Sequence, residues 1–162
     1  MKEKTEQKIL WGVLVTSIIS LIYLLKKPSI KDWLLVYFMN GFSNVFIDAF
    51  FVSKDMLSYP TRLFPKILKG NFLFDILVYP TIMVYYNQVT RNDSVFPITV
   101  KIFLFTIPML LIELWAVQNT SLIRWKKGWT WKHTFISTTL KSLLNRLAIG
   151  VIRKIDANII QM

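Results

Sequence analysis

Apolar residues in this chain gather into long runs parted by short polar clusters, and the run lengths, about 16 to 21 residues, carry the first message. At 1.5 Å per residue such a run crosses a hydrocarbon core about 30 Å thick. Four helical spans are expected, at about 9–25, 33–52, 70–87 and 97–117. Lys8 and the Lys26-Lys27-Pro28 cluster bound the first, and Pro97 opens the fourth, where its missing N–H costs little. The first run is long for a signal peptide, and "LLKKPS" has no small-x-small cleavage site, so this helix is expected to be retained.

Two stretches break the simple pattern. Residues 53–71, "SKDMLSYPTRLFPKILKGN", hold two prolines and four cations yet are half apolar, so they are expected to lie along the bilayer surface. The basic tail, 119–162, is harder to place. Ile136, Leu140, Leu143, Leu144, Leu147 and Val151 form an apolar helical stripe, with Lys141, Asn145 and Arg146 off it. A fifth span would put those three at its centre, at about 2.5–3.5 kcal/mol per charge. An amphipathic helix in the interface avoids that cost. The expected fold is therefore all-α, an integral membrane bundle of four transmembrane helices with an interfacial C-terminal helix.

Composition agrees. The chain has 162 residues, 54% of them hydrophobic, and a mean hydropathy of +0.45. Its net charge of +11 would suggest nucleic acid in a soluble domain, but no such domain remains once the spans are removed. With four spans, fifteen of the twenty Lys and Arg fall on the side of the N-terminus, 53–71 and the tail, and four on the other, with Lys101 inside the last span. The richer side is expected to be cytoplasmic, with both termini on it. Arg124, Lys126, Lys127, Lys132, Lys141 and Arg146 are then candidate contacts for anionic headgroups, and the bilayer is the expected partner, with a homo- or hetero-oligomer also open. Without cysteine there is no disulfide, thiolate nucleophile or Cys-ligated metal, and a single His, His133, rules out a two-His site. No cofactor is expected.

The candidate chemistry lies inside the spans. Asn40, Asn44 and Asp48 stand four apart, a stripe about 12 Å long on one helix face, with Gly41 on the same side. Such side chains must point into a bundle, because lipid cannot satisfy them. Counting from the span ends puts Asp48, Asp75 and Glu113 at one depth, near the inner boundary. Pro80 and Pro108 each free a carbonyl and permit a kink nearby. These acids can form a cation, proton or solute site. They can equally pair with Lys54, Arg62, Lys66, Lys69 or Arg124 and hold the helices in register.

The polar second span with Asn44 and Asp48, "SYPTRLFPKI", "FDILVYP" and "ELW" make the chain similar to a family of small multi-pass membrane proteins of spore-forming bacilli and clostridia. That resemblance implies a bacterial plasma membrane and supplies no reaction, substrate or partner. Signatures of membrane enzymes, among them D-x-x-D-G, G-x-S-x-G and H-E-x-x-H, are missing. The expected function is a non-enzymatic scaffold or partner-binding subunit. The alternative is a small carrier or sensor using the Asn/Asp/Glu cluster.

Overall fold

The computed structural model describes residues 3–63, 65 and 70–160. Its long helices are α1 (Glu3–Leu25), α2 (Ile30–Ser53), α3 (Tyr79–Val89), α4 (Val95–Lys101), α5 (Phe103–Asn119) and α6 (Trp131–Ile160). A π-helical turn, Phe74–Val78, leads straight into α3, and two-residue strands β1 (Leu57–Ser58) and β2 (Arg124–Trp125) pair antiparallel. Pro28 and the left-handed Ser29, φ 69°, separate α1 from α2. A single residue, Ile102, joins α4 to α5, so 95–119 acts as one rod. The chain is all-α, and among the described residues four helices are long and apolar enough to cross a membrane: Glu3–Leu25, Ile30–Ser53, Val95–Asn119 and Trp131–Asp156.

Three of these match expected spans. In place of 70–87, the fourth is the C-terminal helix. The expected third span is the bundle's centre instead: Tyr79, Met83, Val84 and Tyr86 on α3 are at most 1% exposed. It packs along α2 and α1, its Tyr86 ring meets Phe105 of α5, and its Tyr79 hydroxyl meets Ser142 of α6 at 2.7 Å.

The tail differs most from the sequence expectation. α6 does not lie apart as an interfacial helix; it packs lengthwise in the bundle with its polar stripe turned inward. Asn145 donates to Asn40 Oδ1 at 2.9 Å and to Ser43 at 3.3 Å, Lys141 donates to Asn44 Oδ1, and Arg146 donates to the Thr90 carbonyl at 2.7 Å. The expected apolar stripe exists but faces outward, with Ile136, Leu140, Leu144, Leu147 and Val151 all at least half exposed. A helix with its polar face buried and its apolar face bare is built for lipid on its outer side. The two-faced pattern holds and its direction is reversed, because the surrounding solvent is hydrocarbon.

The same contacts fix the ends. Glu6 of α1 accepts from the Ser121 amide at 2.9 Å, whereas Arg153 of α6 meets Asp32 at the start of α2, 3.2 Å away. The first turn of α1 and the last turns of α6 therefore sit at opposite ends of the bundle.

One end, here called the base, is capped by a ribbon. β1 and β2 are extended by Thr61 N–H to Ser121 O at 2.9 Å and Lys126 N–H to Met56 O at 2.8 Å. The 53–63 stretch is thus folded onto 121–126. Phe64 and 66–69 of the same stretch lie outside the described residues.

Candidate functional site

α2 aims its polar stripe at two neighbours. Asn40 and Asn44 meet α6, as above, and Asn44 also donates to Asp75 Oδ1 at 2.6 Å. One turn further toward the base, Asp48 Oδ1 accepts from the Tyr59 hydroxyl at 2.5 Å. The amides cross-link helices, and the carboxylate meets the ribbon.

Asp75 owes its position to a proline five residues on. Pro80 has no N–H for the Ile76 carbonyl and its ring crowds that oxygen. The chain answers with a wider turn in which the Tyr79 N–H reaches back to Phe74 O. This turn carries Asp75, 4% exposed, toward Asp48, which lies within hydrogen-bonding reach of it. Gly70 sits against both: a Cβ there would collide with the Asp48 carboxylate and come within 3.6 Å of Asp75 Oδ2. Gly41, by contrast, needs no glycine, since an added Cβ would only touch Pro80 at 3.6 Å.

Glu113 completes the set from α5. Its Oε1 accepts from Trp125 Nε1 at 2.8 Å and from the Thr134 hydroxyl at 2.9 Å, which in turn accepts from Trp129 Nε1 at 2.9 Å. Asp48, Asp75 and Glu113 all line one cavity of about 340 Å³ just above the base ribbon, together with Asn44, Tyr59 and Lys141. Asn40 lies one turn beyond it, in the α2–α6 contact. Asn71, Thr134, Ser137 and Thr138 add polar groups, and most of the remaining wall is apolar, supplied by Leu10 and Val13 of α1, Phe51 of α2, Val78 near α3, Met109 and Ile112 of α5, and Trp129.

Lys141 is the cation of this cavity. Its Nζ donates to Asn44 Oδ1 and stands 3.5 Å from the centre of the Tyr79 ring. A cation–π contact in a dry site is worth about 2 kcal/mol or more, of the order of the insertion cost that argued against burying this residue. The expectation that Lys141 and Arg146 touch headgroups is therefore corrected: Arg146 is 6% exposed and held by Thr90. Arg124, Lys126, Lys127 and Lys132 are exposed near the base, where lipid contact stays open to them, and Lys126 pairs with Asp55 at 3.0 Å. Lys101 at the far end pairs with Asp93 at 2.7 Å.

None of the three acids is matched to its own boundary cation among the described ion pairs, and Lys66 and Lys69 lie outside the described residues. One oxygen, Asp48 Oδ2, is buried without a hydrogen-bond partner. No three acidic or histidine side chains among the described residues come together closely enough to hold a metal ion.

Comparison with protein-family models, curated proteins and solved structures returns no match. The site has to be read from its own chemistry.

Sequence reasoning found the three acids and both amides. It missed Tyr59 and Gly70, which arrive from a folded-back connection, and it placed Lys141 on the wrong side of α6. The signal for Lys141 was available: it is four residues from Asn145, the spacing that also separates Asn40 from Asn44.

Proposed function

We propose that this protein is a multi-pass membrane protein that binds a small cation in the acid-lined cavity, working as a carrier or sensor and not only as a scaffold. The observation that carries the reading is the convergence of Asp48, Asp75 and Glu113 on one cavity with a single lysine among them. Three carboxyls against one ammonium leave a deficit of positive charge. A neutral glue would have matched each acid to its own partner. Buried ionisable groups in a membrane bundle that are costly to keep and unevenly paired mark binding or transport paths.

The setting we infer is a bacterial plasma membrane with the base toward the cytoplasm. Among the described residues eight Lys and Arg, in 3–8, 53–63 and 124–132, lie at that end and seven at the other. Positive-inside orientation favours the richer end.

Carbodiimide labelling in native membranes near neutral pH tests the proposal. Modification at Asp48 or Asp75, slowed by added Na⁺, supports a cation site. Unreactive acids, together with an Asp48→Asn protein unchanged in folding and phenotype, leave the scaffold reading in its place.

A further inference from the structure

The cavity's shape goes further than its charge. Ile112 and Trp115 of α5 line it and yet are 65% and 46% exposed on the outer surface, so the cavity wall is also the protein's lipid-facing skin. Across from them, Val13 of α1 lines the same space and is half-exposed. α1 lies against α2, the π-helical turn and α3 and makes no extended contact with α5. It is pinned near its two ends, by Glu6 to the Ser121 amide and by the Leu24 carbonyl to Gln88 at 2.8 Å. Between those pins Ile9, Leu10 and Val13 of α1 and Met109, Ile112 and Trp115 of α5 line the cavity from two helices that do not pack along each other. A slot between α1 and α5 therefore connects the cavity sideways to the bilayer interior.

We infer that the ligand is an amphiphile with a protonated amine head and an alkyl body, entering from the lipid through the α1–α5 slot; this rests on the cation-site reading above. The head is specified by Asp48, which is 7% exposed and whose buried Oδ2 meets no cation and no side-chain donor beyond Asp75 among the described residues. An ammonium brings N–H donors as well as charge, whereas a quaternary ammonium brings charge alone. The body is specified by the walls. A bare inorganic ion would leave the apolar lining of Leu10, Val13, Met109 and Ile112 with nothing to contact. At about 340 Å³ the cavity is at the small end of ligand pockets, which run about 300–1,000 Å³. It holds a head and the first part of a chain, and the slot lets the rest stay in lipid.

The test uses the full chain in phosphatidylcholine nanodiscs and 12-bromododecylamine, whose bromine quenches nearby tryptophan. The expected result is saturable quenching, reversed by dodecylamine, lost in Asp48→Asn and needing at least tenfold more probe in Val13→Phe, which narrows the slot. At equal mole fraction in the disc, 12-bromododecanol and the trimethylammonium analogue should give only weak quenching that does not saturate. Saturation by all three probes alike would show that the head is not read and overturns the inference, as would a Val13→Phe protein that binds as before. If amines fail to saturate while Na⁺ still slows carbodiimide at Asp48 and Asp75, the amphiphile is wrong and the cation site stands. If the acids are also unreactive, both readings fall.

Discussion

At the far end of the bundle Asp32 is shared by Arg153, 3.2 Å away, and Arg91, 3.7 Å away, and both guanidinium groups lie about 5 Å over the Trp33 ring, at 5.3 and 5.4 Å. At the base three carboxyls share one lysine. The far cluster has more cation than acid and opens to solvent, with 40% of the Arg91 side chain exposed. The base cluster has more acid than cation and is enclosed. Water and counterions can settle the first imbalance at little cost. Bulk water and counterions reach the second far less freely, so on the reading proposed above the same kind of residue is a staple at one end and a ligand site at the other.

The strongest way to break this comparison is to ask whether the two ends lie on opposite faces of the membrane. The chain has no cysteine, so single substitutions report cleanly. Ser94→Cys and Ile159→Cys should react with an impermeant reagent from one side, and Lys127→Cys only from the other. If Ile159→Cys and Lys127→Cys label together, α6 does not cross. The next effect is energetic. Lys141→Met leaves the enclosed acids without a cation and should cost about 3–5 kcal/mol in thermal or denaturant unfolding, with much of it regained in the Lys141→Met, Asp75→Asn double variant. A single variant as stable as the parent would mean that the lysine and the acids are not coupled.

At the far end the expectation is milder. Arg91→Ala should cost about 0–1 kcal/mol, and less at high salt, because the pair is exposed and Asp32 keeps Arg153. A loss as large as that of Lys141→Met would erase the contrast between the ends. The smallest effect concerns the base ribbon. The Asp55 carboxyl, fully exposed, is held below the ordinary carboxylate range first by its hydrogen bond to Lys126 and then by that ammonium's charge. A lowered value stabilises the fold above the ordinary carboxylate range and ceases to do so as pH falls through it. The protection factor of the Lys126 amide, bonded to Met56 O, taken against the intrinsic exchange rate at each pH, should therefore fall slightly in acid, and Asp55→Asn should show the same fall at neutral pH with no further response to acid.

How far the sequence disclosed this arrangement depends on whether the cause was local. The depth of Asp48, Asp75 and Glu113 could be counted from span ends, because a helix has a fixed rise. The widened turn at 74–78 was foreshadowed by Pro80, since a missing donor acts on its own helix. Tyr59 could not be placed, because its meeting with Asp48 needs the connection after α2 to fold back and pair with 124–125. Nothing in the sequence marks Glu6, yet it is 1% exposed and ties α1 to the Ser121 amide. α6 is the instructive case: its two-faced pattern was plain, and the face that goes inward depends on what surrounds the bundle.

That reversal has a bearing on how the chain is made. α6 emerges from the ribosome after the other three long helices and is the least apolar of the four. Alone in the bilayer it would carry Lys141, Asn145 and Arg146 with no partner. Its acceptors, Asn40 and Asn44 on α2 and Thr90 after α3, are all synthesised earlier. Insertion of α6 is thus a docking step, completed only when the earlier helices already stand in place to receive it.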